Sequence, residues 1–161
     1  MEPTDLIEAL AAHVNSEEGA GRFYRQASYW ADKEGWDGTE SFFQKEAIEE
    51  YQHAEKFAKY VAKRGGMVLL AWQKDLGIAD LPTSLLDCYQ RALTLEQRVM
   101  NELDELSGQA IAEGDADSVR FLQEFLKIGT DSIYDLTTWV AQLQRLQNDP
   151  AGLYAFDQER E

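Results

Sequence analysis

The sequence predicts an all-α chain: a four-helix bundle with one long crossover between its second and third helices and a short fifth helix at the C-terminus. Three observations lead there. Four long segments carry apolar residues spaced by three and four, the period of one helix face. The three prolines, Pro3, Pro82 and Pro150, all stand outside those segments, where they break no helix. The stretch from residue 66 to 82 is longer than two antiparallel neighbours need.

In order, the first helix is expected to start at Thr4 or Asp5, either of which can cap it, and to run to about Lys33. Its stripe is Leu6, Leu10, His13, Glu17, Ala20, Tyr24, Ala27 and Ala31. Gly35 to Gly38 make a turn, and Thr39 opens a second helix that runs to Arg64 and stops at the Gly65-Gly66 pair. Its stripe is Phe43, Ala47, Glu50, Ala54, Phe57 and Val61. Each helix would be roughly 40 Å long at about 1.5 Å per residue. The connection that follows is apolar at its front, from Met67 to Trp72, with turn signals at Gly77 and Pro82. It can travel the length of the bundle, which makes the second and third helices parallel.

The third helix is expected from Thr83 or Ser84 to near Gly114, with the stripe Leu86, Tyr89, Leu93, Glu96, Met100, Leu103 and Ala110. The fourth starts between Asp115 and Ser118 and runs to about Asn148, along Leu122, Phe125, Gly129, Ser132, Leu136, Trp139 and Leu143. Asp149-Pro150 reads as an N-cap followed by proline in the first helical position, opening the fifth helix.

A chain of 161 residues is expected to form one domain over 1–161 with a substantial core. Hydrophobic residues at 44% and aromatic residues at 11% exclude a disordered chain. The net charge of −15 argues against nucleic acid or an anionic membrane as partner, and is compatible with attracting cations. Glu2, Asp5 and Glu8 at the start are unlike the basic opening of a secretory signal, and no apolar run reaches the length of a bilayer span. The single cysteine, Cys88, cannot form an intrachain disulfide and reads as a packing residue. These features point to a reducing compartment, the cytoplasm.

The informative residues interrupt the stripes. Glu17, Glu50 and Glu96 stand where apolar residues belong, on three different helices. A buried carboxylate without a partner costs several kcal/mol or stays protonated. Three in one core make sense when a cation holds them together. His53 lies three residues after Glu50, so both side chains reach the same side of a helix. Hard oxygen ligands with one imidazole suit Fe(II), Mn(II) or Zn(II), and the thiolates of structural zinc are missing. Glutamates from several helices plus Glu-x-x-His make the arrangement of di-iron carboxylate bundles, in which a residue such as Glu50 can bridge ions roughly 3.5–4 Å apart. His13, one turn before Glu17, reads as a hydrogen-bonded core or interface histidine rather than a ligand. Lys63-Arg64 reads as favourable charge at a helix C-terminus.

More specific stretches accompany this pattern: Asn15-Ser16-Glu17 with Tyr24, then Trp30, Gly38, Phe42, and Ala47 with Glu49-Glu50 and His53. Further on come Tyr60, Arg64-Gly65-Gly66, Glu96-Gln97, Phe121-Leu122 and Gly152-Leu153-Tyr154. On these residues the chain resembles the non-haem bacterial ferritins along nearly its whole length. The resemblance implies a di-iron ferroxidase centre in which Glu17, Glu50 and His53 hold one iron and Glu50 and Glu96 the second. Tyr24 would be the nearby tyrosine that hydrogen-bonds a ligand or supplies an electron. Glu49 survives from the ligand set of a third iron and Asp131 could substitute at one place, whereas Ile128 and Ser132 cannot act as carboxylates.

Two positions depart from the family. Gly129 stands where ferritins place a glutamine beside the second iron, and Ser132 where bacterial members often add a glutamate. Small residues there are expected to leave room for water or for movement of Glu96, and so to loosen the second iron. Haem is not implied, because Tyr51 replaces the haem-ligating methionine of bacterioferritins and the fourth helix has no histidine. The implied function is oxidation of Fe(II) by dioxygen or hydrogen peroxide and storage of ferric mineral in a homo-oligomeric shell of 24 subunits, with Met67 to Trp72 buried between subunits. Two other readings stay open: a di-metal oxidase or peroxide-consuming bundle that stores no iron, and a shell protein with an impaired site.

Overall fold

The computed structural model describes residues 5–161, and among them it contains five α-helices and no strand. Helix α1 (Leu6–Glu34) is capped by Asp5, whose carboxylate accepts from the Ile7 N–H at 2.8 Å. Thr4, the other expected cap, lies outside the described residues. The helix ends at Gly35 in the left-handed conformation, φ 81°, which glycine adopts without steric cost. Helix α3 (Leu85–Ala112) starts at Ser84, and α4 (Ala116–Leu146) at Asp115, each with its own side-chain cap. Helix α5 (Pro150–Gln158) opens on proline as its sequence predicts.

Helix α2 (Asp37–Lys63) begins two residues before Thr39, and Trp36 at its N-cap offers no side-chain bond. The cap comes from the other end of the chain. Buried Asp157 on α5 accepts from the Gly38 N–H at 3.0 Å and the Thr39 N–H at 2.8 Å. A Cβ on Gly38 would fall 1.8 Å from the Asp157 carbonyl oxygen, so only glycine permits this approach. Asp157→Ala leaves two helix N–H groups without their acceptor and is expected to cost about 2 kcal/mol or more. A thermal melt matching the wild type would show that the cap carries no stability.

Contacts between helices fix the topology. Glu17 of α1 meets His53 of α2, and Gly66 beyond α2 lies against Ile7, so α1 and α2 are antiparallel. His13 bonds Glu102 while Tyr24 bonds Glu96, so α1 and α3 are antiparallel too. Helices α2 and α3 are therefore parallel, which the long connection anticipates. That connection runs along α1, where the Asn15 amide donates to the Leu69 carbonyl at 3.1 Å and accepts from the Ala71 N–H at 2.8 Å. Its apolar side chains find no cover within one chain: Trp72 is fully exposed, and Met67, Leu69, Leu70 and Ile78 are mostly so.

Arg64 does more than favour a helix end. It forms two bonds with Asp115, at 2.8 and 3.1 Å, and touches Tyr60 and Ser118, tying the end of α2 to the start of α4. At the opposite end Phe42, Phe43, Tyr89, Trp139 and Phe156 pack ring against ring, and Arg160 lies over Trp139 and Phe156. The carboxylate stripe runs between these two anchored ends.

Candidate metal centre

Glu17, Glu50 and Glu96 are all buried, at 2%, 6% and 6% exposure, each presented from the core face of its helix. Hydrophobic neighbours one turn away on the same stripes force that burial, since rotating the glutamates outward would expose Tyr24, Phe57 or Leu103. Helix periodicity then brings the three from separate helices to one height of the bundle. One ligand atom each from Glu17, Glu50 and His53 falls within 4.8 Å of the others, and the same holds for Glu46, Glu50 and Glu96. Glu50 alone belongs to both groups. His53 keeps 12% of its side chain exposed, with Nδ1 3.4 Å from Glu50 Oε2 and 3.8 Å from Glu17 Oε2.

The groups surround a cavity of about 20 Å³, which admits something the size of a water but no organic substrate. Five glutamates and His53 line it, and no lysine or arginine does. Glu17 Oε2 is buried there with no hydrogen-bond partner among the described residues. A buried carboxylate oxygen without a hydrogen bond, facing other carboxylates, suits a cation, and the donor set of hard oxygens with one imidazole fits iron, manganese or zinc.

Around the cavity sit side chains that hold the glutamates in place. His13, buried on α1, binds Glu17 Oε1 through Nε2 at 2.9 Å and Glu102 Oε2 through Nδ1 at 3.0 Å. Burial opposes a charge on His13, but the bonds to Glu102 and Glu17 outweigh it and push its pKa up to about 9. Both ring nitrogens therefore donate at neutral pH. Tyr24, buried on α1, donates its hydroxyl proton to Glu96 Oε1. Burial first, then the charges of Glu96 and Glu50, raise its pKa far above the ordinary phenol value.

The electrostatics separate the glutamates. Burial works against ionisation of Glu17, yet the bond from His13 and the nearby His53 hold it below the usual carboxylate range. Burial drives Glu50 up to about 9, with Glu17 and Glu96 adding to it against His53. Glu96 is also raised, chiefly by burial. His53 rises to about 10 because Glu17 and Glu50 outweigh its desolvation. Without a cation, the site thus retains protons that a cation would displace.

The remaining expected positions fall as follows. Glu49 is exposed at the cavity edge and lies outside both groups of three. Ser132 and Ile128 line the cavity half-buried, while Asp131 is exposed and does not line it. Gly129 does not leave the expected open space: a Cβ there would lie 2.8 Å from the Met100 methyl, which fills the gap. Sequence reasoning passed over Glu46, one turn before Glu50, and Glu102, the outer partner of His13. The i, i+4 spacing of Glu46 from Glu50 was the available signal for the first.

The chain matches known proteins along nearly its whole length. The family model described as Ferritin, a ferritin-like domain, matches residues 7–146. Soma ferritin of Lymnaea stagnalis is 34% identical over 149 residues, covering 91% of this chain and 84% of that protein. Bacterial non-heme ferritin of Staphylococcus aureus (strain USA300) is 28% identical, covering 96% and 92%. Among solved structures, an open pore ferritin from Archaeoglobus fulgidus superimposes with a TM-score of 0.91 at 24% identity, covering 99% of this chain and 98% of that one, a likeness of fold.

Proposed function

Because the chain belongs to the ferritin family, we propose that it takes up Fe(II), oxidises it at the buried carboxylate–histidine centre, and stores the ferric product in a multi-subunit shell. The observation that carries this reading is Glu17 Oε2, buried without a hydrogen bond inside a cavity lined by five glutamates and one histidine. Glu17, Glu50 and His53 would hold one ion, with Glu50 and Glu96 on the second. The iron pair supplies two electrons, one from each Fe(II), to dioxygen or hydrogen peroxide. Anionic oxygen ligands favour the more highly charged ferric state, which lowers the potential of the pair. Tyr24 orients Glu96 through its hydroxyl, and His13 fixes one oxygen of Glu17 so that the other points inward.

Assembly into a shell of 24 subunits, as in the resemblance drawn from the sequence, gives the exposed Met67, Leu69, Leu70 and Trp72 a place to be buried. The acidic surface would draw cations towards the shell. In this reading all of 1–161 acts as one ferritin-like domain, located in the cytoplasm, without haem.

Anaerobic loading with two Fe(II) per subunit followed by rapid mixing with dioxygen tests the reading. Ferric absorbance should rise much faster than in buffer, and the protein should sediment as a large shell. A rate equal to buffer would remove the ferroxidase role, and a small oligomer without mineral would favour the non-storing oxidase.

Cation binding should also release protons. Glu50 at about 9 and His53 at about 10 are protonated at neutral pH and must lose those protons to ligate. Affinity therefore rises with pH between 6 and 8, by about tenfold per unit for each proton displaced. Calorimetry in two buffers of different ionisation enthalpy checks this, and an affinity independent of pH and buffer would contradict it.

A further inference from the structure

Resting on the reading of the cavity as a two-ion centre, we propose that Glu46 of α2 completes the second metal position, in place of any ligand from α4. The first position has three donors, Glu17, His53 and the shared Glu50. The second has the shared Glu50 and Glu96, which leaves it short of one protein ligand. Helix α4 cannot provide it. The residues it turns to the cavity are Phe125, Ile128, Gly129 and Ser132, none a carboxylate or amide. The Met100 methyl occupies the space through which a longer side chain at 129 would enter.

Glu46 meets the need from the opposite wall. It stands one turn before Glu50, so both carboxylates leave the same face of α2. One oxygen each of Glu46, Glu50 and Glu96 lies within 4.8 Å of the others, close enough to converge on one ion. Glu46 is half-buried and lines the cavity, with Glu49 and Glu96 as neighbouring like charges and His53 as the opposite one. An independent sign that the cavity takes a cation is Glu17 Oε2, on a side chain 2% exposed and without a hydrogen bond among the described residues, in the same lining. The second position is thus built from carboxylates alone, whereas the first includes an imidazole. A harder, more anionic donor set at the second position favours hard divalent ions and the ferric product.

Co(II) binding without oxidant separates the positions, read by calorimetry and by the visible absorbance of the ion. The wild type should bind two Co(II) per subunit. Glu46→Gln, which removes charge at constant size and relieves crowding among acids, should keep the first affinity and weaken the second by about tenfold or more, a scale that even outer partners of metal ligands reach. Asp131→Asn should change neither. Two unaltered affinities in Glu46→Gln, or loss of the second ion in Asp131→Asn instead, would overturn the assignment of Glu46. If the wild type binds no Co(II) that Glu50→Ala abolishes, the metal-centre reading fails and the assignment with it.

Discussion

Glu50→Ala is expected to reduce Fe(II) oxidation by about 100-fold or more, to the rate of iron in buffer. Glu50 is the one residue that belongs to both groups of converging ligands, so its loss takes an oxygen from each position and removes the bridge between them. In the proposed centre every other ligand would serve one position, and its loss should leave the other able to bind. The variant also separates chemistry from folding. Its wild-type side chain is buried, with a pKa pushed up to about 9 by burial and by neighbouring acids, so the cation-free protein gains little from it. Replacing it with a small apolar residue relieves that crowding, and the variant should melt no lower than the wild type in the absence of metal. Stopped-flow absorbance beside a thermal melt checks both halves. Rapid oxidation by Glu50→Ala would mean that the iron reacts elsewhere.

His13→Ala is expected to produce the largest loss of stability. It breaks the Glu102–His13–Glu17 chain, whose His13–Glu17 half is buried, and leaves Glu17 with only His53 as a cationic neighbour among other carboxylates. Removing one partner of a buried pair costs about 3–5 kcal/mol, and at the scale of a 150–250-residue chain that lowers Tm by roughly 10 °C. The pH dependence has a definite sign. His13 is raised from 6.5 to about 9 in the folded protein, so its stabilisation is fully present below pH 6.5 and is lost as pH rises through 9. The gap between wild type and variant should therefore narrow from pH 6 to pH 10. A bound cation satisfies Glu17 by another route and should restore part of the loss. An unchanged Tm at pH 6, measured by calorimetry, would show that the His13 bonds are not stabilising.

Much of this was legible because glutamate is so out of place in a helical core stripe. Glu17, Glu50 and Glu96 announced themselves by interrupting Leu, Phe and Ala at three and four residue spacing, and the structure buries all three. The helices followed for the same reason, together with the parallel relation of the second and third. Features that depend on distant partners did not follow. Helix α2 starts two residues before Thr39, which local sequence does not reveal because its cap, Asp157, lies 118 residues beyond Thr39. On α3 the deepest face runs through Cys88, Ala92, Leu95 and Val99 beside Tyr89, Glu96 and Leu103, while Leu86, Leu93 and Met100 are half-buried. The apolar surface of α3 is broad, and a single stripe could not locate its centre.

Within the site, Glu46 and Glu102 read as two acids among thirty. Neither interrupts an apolar stripe, and only packing reveals that one reaches the cavity and the other holds His13. The space at Gly129 differs from the expectation for a related reason: an absent side chain says nothing about which neighbour fills the gap, and here it is the flexible Met100.

The central claim is that iron binds as a pair inside the bundle, astride Glu50. Crystals of the protein soaked anaerobically with Fe(II), with diffraction data collected on both sides of the iron absorption edge, test it most directly. The account predicts two anomalous peaks per subunit, one against Glu17, Glu50 and His53 and one against Glu50 and Glu96. Iron found only on the outer surface, with no peak in the cavity, would contradict it.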